Sequence, residues 1–360
     1  MSATAPSTVN MVAKVEPTLS QHAAQAESDR RLAPQAMVVA LLSLLIVFTP
    51  SVRAQNHPKV WTPSTTPDGR PDLQGIWVSR TATPLERPQQ LEGKAFLTDD
   101  EVNELKSRAD RLFKNENSDF ARGDGVFQAV LADPERYKNP NATGGASGMI
   151  DLEFDNRTSL IVDPADGKIP WTPEGQQRQA VAAAALVTPK AADPEDLAND
   201  MRCLTYGTPR LGRYGAGPES YYQIVQTKGY VVMHMEYIHE VRIIPLDGRP
   251  HLPPNIRLWS GDSRGHWEGN TLVVDTTNFS SHSFFQGSSS DLHMVERFTR
   301  TSPDTIKYQI TVDDPTTWAK PWTAEIHLRQ TPENIYEVAC HEGNRDVIMG
   351  IFAAARAREK

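Results

Sequence analysis

The sequence predicts a mainly β protein: an antiparallel barrel with two accessory helices and long N-terminal loops. Apolar and polar residues alternate over residues 305–313 and again over 322–328, the pattern of antiparallel strands with one buried and one solvated face. About nine short strands separated by tight turns favour closure, because a closed sheet leaves no exposed edges. Proline, at 27 residues, exceeds glycine, at 22, which suits turn-rich β structure better than a helical bundle.

The first 54 residues predict an N-terminal extension and an export signal. Arg30 and Arg31 precede an apolar run over residues 37–48, and Val-Arg-Ala follows at 52–54, which is the layout of a signal peptide. The run is short for a transmembrane helix, which needs about 20 apolar residues, although an uncleaved anchor stays open as the alternative. We therefore expect a periplasmic or secreted protein with no stable membrane insertion after cleavage.

Residues 55–220 are predicted to hold a leader, the first strand, both accessory helices and loops of the length found in lids. Thr98 and Glu101 form a capping box at the start of the first helix, which ends near Lys114. The strands are predicted at 74–79 and 158–163, the second helix at 171–186, and the loops at 115–150 and 187–220.

Residues 221–345 are predicted to be the main antiparallel region, followed by a C-terminal tail at 346–360. Eight of the ten histidines lie in this region. Besides the two alternating segments, the strands are predicted at 222–227, 229–235, 239–244, 265–268, 271–276, 292–299 and 335–339.

Charge and motifs exclude several classes of function. The formal net charge is −8, and no Lys/Arg run is present, so a nucleic-acid partner is not expected. The glycine-rich residues 212–217 follow no strand and open no helix, which argues against a phosphate loop. No Gly-x-Ser-x-Gly motif occurs. A small molecule is therefore the expected partner.

The two cysteines, Cys203 and Cys340, are expected to form a disulfide. An oxidising compartment favours pairing when only two cysteines are present. The alternative is a reactive Cys340 beside His341, although catalytic Cys–His pairs are adjacent in space rather than in sequence.

A histidine–carboxylate cluster is the first candidate for chemistry. Glu296 shares a strand face with Met294 and Phe298. A carboxylate in apolar company has a raised pKa and can serve as a general acid or base. The candidate catalytic residues are Glu296, Asp275, His239 and His251.

The structural alternative for these carboxylates is a buried ion pair. Glu296 with Arg242, or Asp275 with Arg297, would fix strand register inside the barrel. Structural networks perturb pKa values as catalytic sites do, so both interpretations stay open.

A metal site is a weaker candidate. His234, Glu236 and His239 offer three possible zinc ligands within six residues. Along a strand, however, positions 234 and 239 differ in parity and point to opposite faces. We therefore expect no metal and no other cofactor.

A ligand site is predicted near the turn at Asp247 and Gly248. Arg249, His251 and Trp259 are not explained by turn chemistry, and together they suit an apolar ligand with one anionic or hydroxyl end. Arginine stacked on tryptophan as plain surface structure is the alternative. The candidate ligand-binding residues are Arg242, Arg249, Trp259, Trp267 and Tyr237.

Five segments carry a resemblance: 71–77 (PDLQGIW), 241–251 (VRIIPLDGRPH), 261–279 (GDSRGHWEGNTLVVDTTNF), 312–315 (VDDP) and 339–344 (ACHEGN). They resemble a group of exported bacterial proteins with lipocalin-like barrels, frequent in soil bacteria. In such barrels a Gly-x-Trp motif opens the first strand. The resemblance implies the barrel and the export, and it implies no activity and no catalytic residues.

Two functions are therefore expected from the sequence. The first is an exported barrel that binds a small, largely apolar ligand. The alternative is a cofactor-free lyase, isomerase or hydratase that uses the carboxylates and histidines as acid and base. An envelope scaffold is a third hypothesis, and an exposed apolar patch outside the barrel would favour it.

Overall fold

The computed structural model describes residues 61–113, 124–131, 152–187, 191–211, 221–283 and 285–358. The predicted signal segment and the glycine-rich residues 212–217 lie outside these ranges. Within them, no helix has the length and apolar character needed to cross a membrane.

The fold is a nearly closed, lipocalin-like antiparallel barrel, as predicted. Nine strands follow the order β5-β4-β3-β1-β10-β9-β8-β7-β6, and the short β2 pairs with β10 beside this path. The two end strands, β5 and β6, meet through a hydrogen bond from Arg242 to Ser263. The strands are β1 (Gly75–Ser79), β2 (Ile161–Asp163), β3 (Tyr221–Gln226), β4 (Tyr230–Met235), β5 (Glu240–Pro245), β6 (Asp262–Glu268), β7 (Thr271–Thr277), β8 (His293–Ser302), β9 (Thr305–Asp313) and β10 (Trp322–Gln330).

Side chains fill the barrel interior. The register of β9 against β8 and β10 places Tyr308 between Phe298 and Ile326. Alternate residues of each strand point inward and are almost completely buried. The middle of the barrel is therefore a packed core, of the kind that close-packed apolar side chains form. Its most deeply buried members include Trp77, Ile224, Leu272, Val274, Met294, Ile310, Val312, Trp322, Ala324 and Leu328.

Four helices accompany the barrel in the described residues: α1 (Asp99–Phe113), α2 (Asp124–Leu131), α3 (Pro173–Val187) and α4 (Asn344–Arg358). The predicted capping box is confirmed. The Thr98 amide donates to Glu101 Oε2 at 2.8 Å, and the Glu101 amide donates to Thr98 Oγ1 at 3.3 Å. The helix α2 lies in a stretch predicted to be a loop, and it packs with α1 in a core of its own.

The helix α3 packs against one end of the barrel. A β-carbon on Gly175 would lie 2.1 Å from the carbonyl oxygen of Thr317, so the backbones approach too closely for any larger residue. Arg178 fixes the contact by donating to Thr317 Oγ1 at 2.6 Å and to the Gly287 carbonyl at 3.1 Å.

The strand predicted at residues 335–339 is wrong, because this segment does not pair with the sheet. The disulfide between Cys203 and Cys340 is present, as predicted, and it holds the segment against the loop at 191–211. The segment leads into α4, whose Ala355 packs with Ala191 and Leu197.

Candidate functional site

A buried ion pair occupies the barrel interior. Arg242 Nη1 donates to Glu296 Oε1 at 3.0 Å, and Nη2 donates to Oε2 at 2.5 Å. Arg242 Nη2 also donates to Ser263 Oγ at 3.0 Å and to Thr276 Oγ1 at 3.2 Å, and the Tyr308 hydroxyl donates to Glu296 Oε1. The bidentate geometry is the strongest form that an arginine–carboxylate pair takes.

Electrostatics hold Arg242 in its charged form. Burial opposes the charge on Arg242, but the adjacent Glu296 carboxylate outweighs it, so the pKa of Arg242 lies above its usual range. Burial, together with the charge on Glu296, also keeps the pKa of Tyr308 well above its usual value. The predicted ion pair of Glu296 with Arg242 is therefore present.

The other predicted ion pair, Asp275 with Arg297, is wrong. Arg297 Nη2 instead donates to Glu268 Oε2 at 2.7 Å on the outside of the barrel. Asp275 accepts from two histidines, described below.

A second buried pair, Arg210 with Glu240, lies close to the first. Arg210 Nη2 donates to Glu240 Oε2 at 2.8 Å and to the carbonyl of Tyr237 at 3.1 Å. Glu240 also accepts from the hydroxyls of Thr205, at 2.8 Å, and Ser260. Sequence reasoning missed Arg210, because it lies in an irregular stretch with no periodic pattern to mark it as buried.

Tyr222 lies between the two pairs. Its hydroxyl donates to the backbone carbonyl of Arg210 at 2.6 Å. Burial raises the pKa of Tyr222, and the charges of Arg210, Glu296 and Arg242 act on it as well. We name the region of Arg210, Tyr222, Glu240, Arg242 and Glu296 the polar end of the barrel.

The hydrogen bonding of the polar end is unbalanced, because some buried donors meet no acceptor among the described residues. Arg210 Nε and Nη1 and Arg242 Nε are buried and meet no acceptor among the described residues. Each buried donor without an acceptor costs about 1–3 kcal/mol, so this imbalance requires an explanation.

A pair of aromatic rings lies beside Arg210. The rings of Tyr206 and Tyr237 meet edge to face with 5.0 Å between centroids, and the Arg210 guanidinium lies 5.0 Å from the centroid of the Tyr206 ring. Both tyrosines are half-buried. Two of the predicted ligand-binding residues, Tyr237 and Arg242, thus lie at the polar end.

A separate cluster, the histidine–aspartate chain, lies on the outer wall of the barrel. It runs Asp262–His251–Asp275–His293. His251 Nδ1 lies 3.0 Å from Asp262 Oδ2, and His251 Nε2 lies 2.8 Å from Asp275 Oδ1. His293 Nε2 lies 2.9 Å from Asp275 Oδ2. The structure brings two predicted catalytic residues, Asp275 and His251, together and adds Asp262 and His293.

The histidine–aspartate chain also fastens the loop at 246–261 to the barrel. Asp262 Oδ2 accepts from the Leu252 amide at 2.9 Å. Arg264 Nη1 donates to Asp262 Oδ1 at 2.6 Å, and Asn278 Nδ2 donates to the Leu252 carbonyl at 2.8 Å. The histidine–aspartate chain therefore stabilises the position of this loop, whether or not it also takes part in catalysis.

Proton binding to Asp275 and His293 should make the stability of the protein depend on pH. The hydrogen bond to His293 lowers the pKa of Asp275, and the same bond raises the pKa of His293. His293 contributes its full stabilisation of the fold below pH 6.5, its ordinary pKa. This stabilisation is lost as the pH rises through the raised pKa of His293. Asp275 contributes its full stabilisation above pH 3.8, its ordinary pKa. This stabilisation is lost as the pH falls through the lowered pKa of Asp275. The hydrogen bond between His293 and Asp275 should therefore stabilise the fold most between about pH 3.8 and 6.5.

We therefore expect His293→Gln to lower the free energy of unfolding by about 0.5 kcal/mol near pH 5, the small value reflecting half-exposed side chains. The difference should shrink above neutral pH. Urea unfolding across this range measures it, and NMR titration gives the pKa of His293. His282→Gln, on an exposed loop, is the control. A difference that grows with pH would contradict the assignment.

Of the other predicted catalytic residues, Glu296 belongs to the polar end and not to the histidine–aspartate chain. The predicted catalytic His239 belongs to neither cluster, and its Nε2 lies 3.3 Å from Glu337 Oε1. The remaining predicted ligand-binding residues also join neither cluster. Arg249 is exposed and pairs with Asp247. Trp259 is about one-third exposed on its loop. Trp267 packs against the barrel core near the turn between β6 and β7, at the opposite end from Arg210.

The described residues contain no group of three or more His, Cys, Asp or Glu side chains arranged to hold a metal ion. His234 faces Gln223 at 3.5 Å, and burial lowers its pKa. The expectation of no cofactor stays a prediction.

No model of a protein family matches the chain, and no curated protein matches it. Among solved structures, the chain is similar to a mutant of the fluorescent protein UnaG, with 12% sequence identity and a TM-score of 0.20. The match covers 31% of this chain and 72% of that protein.

Proposed function

We propose that this protein is an exported lipocalin-like barrel that binds a small, largely apolar molecule carrying an oxygen acceptor, and that the molecule binds at the polar end. One observation carries the proposal: the buried donors of Arg210 and Arg242 meet no acceptor among the described residues. A carbonyl, carboxylate or sulfonate oxygen would satisfy them.

The surroundings of these donors support an apolar body for the ligand. Tyr206 and Tyr237 offer aromatic surface next to Arg210, and rings beside a few fixed polar groups are typical of small-molecule sites. From the sequence, an apolar ligand with one anionic or hydroxyl end was expected near the loop of Arg249 and Trp259. The residues around Arg210 suit such a ligand better than that loop does.

The packed middle of the barrel restricts how far such a ligand can extend along the barrel axis. Ile310, Ile326 and Leu328 are almost completely inaccessible, so the barrel axis offers no open channel past them. The proposed ligand therefore occupies the polar end and does not traverse the barrel.

Binding of 1-anilinonaphthalene-8-sulfonate, an aromatic probe with a sulfonate, tests the proposal. Arg210→Met with Glu240→Gln removes the pair without leaving a lone buried charge. We expect this double variant to bind the probe about tenfold more weakly, a loss of roughly 1.4 kcal/mol. Fluorescence titration of the folded protein measures the change.

The matched control is the exposed pair on the loop, Arg249→Met with Asp247→Asn, which should bind the probe as the wild type does. Equal affinity for all three proteins would overturn the proposal, and so would a wild type that binds no probe. Circular dichroism confirms that each variant is folded, because partly folded states bind this probe unspecifically.

A second candidate function, acid–base catalysis, is supported by the histidine–aspartate chain. His293 is half-exposed at the end of the chain, and its hydrogen bond to Asp275 raises its pKa, which suits proton transfer near neutral pH. The NMR titration described above also tests this candidate. A His293 pKa at or below 6.5 would remove its basis.

A further inference from the structure

A surface cavity of about 220 Å³ lies beside the disulfide. The side chain of His239 and residues 337–342 form much of its wall. Both half-cystines line it, together with Ile238. Nothing in the proposed ligand site or in the histidine–aspartate chain uses this cavity.

The disulfide is accessible from this cavity. Cys203 and Cys340 are each only half-buried. The other walls are open to solvent, since the His239 side chain is 43% exposed and that of Glu337 is 75% exposed. A structural disulfide in a packed core would be shielded on all sides, and this one is not.

We propose that the cavity is a thiol–disulfide exchange site, at which an external dithiol reduces the Cys203–Cys340 bond in the folded protein. Exchange requires a thiolate to reach a disulfide sulfur, so access decides which disulfides react in the native state. The cavity provides this access on a surface where a second molecule can approach.

The reaction balances with the dithiol as the only reductant. One thiolate of the dithiol attacks a sulfur of the disulfide, which forms a mixed disulfide and releases the other cysteine as a thiolate. That thiolate takes up a proton from the solvent. The second thiolate of the dithiol then displaces the remaining cysteine. Two electrons and two protons pass to Cys203 and Cys340, and the dithiol leaves oxidised.

Reduction would remove the covalent link between two segments of the fold. The disulfide joins the loop at 191–211 to the segment that leads into α4. Without it, noncovalent contacts still hold the two together, including the bond from Asn344 Nδ2 to the Met201 carbonyl at 2.7 Å. The reduced protein therefore keeps its barrel, and the inference does not depend on the proposed ligand site.

Reduction kinetics with dithiothreitol test the proposal on the full chain. Aliquots are quenched with iodoacetamide and the free thiols are counted by mass spectrometry, while tryptophan fluorescence reports the fold. We expect a rate proportional to dithiothreitol concentration, with native fluorescence retained. A rate independent of dithiothreitol and equal to the rate of global unfolding would overturn the proposal, because reduction would then require unfolding.

A matched pair of variants tests the cavity as the route. Ala339 lines the cavity, and Ala353 is exposed on α4 away from it. Ala339→Trp should slow reduction at least tenfold by filling the cavity, whereas Ala353→Trp should leave the rate unchanged. Equal rates for the two variants would show that the reductant reaches the sulfurs by another route and would overturn the proposal.

Discussion

Glu296→Gln is expected to lower the free energy of unfolding by about 3–5 kcal/mol, because it leaves Arg242 charged and buried without a counter-charge. Glu296 has no accessible surface, and both of its oxygens accept from Arg242. Urea unfolding followed by tryptophan fluorescence measures the loss as a shift in the midpoint.

The double variant Arg242→Met with Glu296→Gln should recover more than half of that loss, since no lone charge remains buried. Glu268→Gln serves as the control. It breaks the exposed pair with Arg297, on the same strand as Glu296, and should cost less than about 1 kcal/mol. If the single and double variants lose equal stability, the cost comes from packing and not from the unpaired arginine.

Replacing both cysteines by serine is expected to lower the free energy of unfolding by about 4–5 kcal/mol, according to the chain-entropy treatment of a long closed loop. The disulfide spans 137 positions, so it restricts a large part of the unfolded chain. Urea unfolding of the variant beside the oxidised wild type measures the difference.

The reduced wild type provides an independent control for this prediction, because it lacks the same covalent link and keeps both cysteine side chains. It should lose as much stability as the serine variant. A loss below about 1 kcal/mol in both would mean that contacts such as that of Asn344 with Met201 already restrict the two segments in the unfolded chain.

Local patterns explain why most strands were predictable. The alternation over 305–313 matches β9, and that over 322–328 matches β10 to within two residues. The capping box of Thr98 and Glu101 marks the start of α1 because capping needs only residues within one helical turn. The helices α2 and α4 were not predicted. With only eight residues, α2 is too short to show a clear period, and α4 buries only Ala355, so its apolar positions mark no continuous face.

The two clusters were only partly predictable. Glu296 was recognised because a carboxylate between Met294 and Phe298 breaks an apolar pattern. Arg210 carried no such signal, because its burial follows from tertiary contacts with Glu240 and the Tyr237 carbonyl. His293 was equally inconspicuous, and only the register of β7 against β8 brings it near Asp275.

The sequence by itself determined the antiparallel barrel and the pairing of its only two cysteines, because alternation, turn residues and cysteine number are local or compositional properties. The tertiary structure alone decided the partners of the charged groups. Arg242 and Glu296 are 54 positions apart, and strand order and register bring them into contact. The same long-range packing fills the barrel axis and exposes the disulfide in a surface cavity. It also leaves donors of Arg210 and Arg242 with no acceptor in the part of the chain that the structure describes. Each of these features depends on how distant side chains share space.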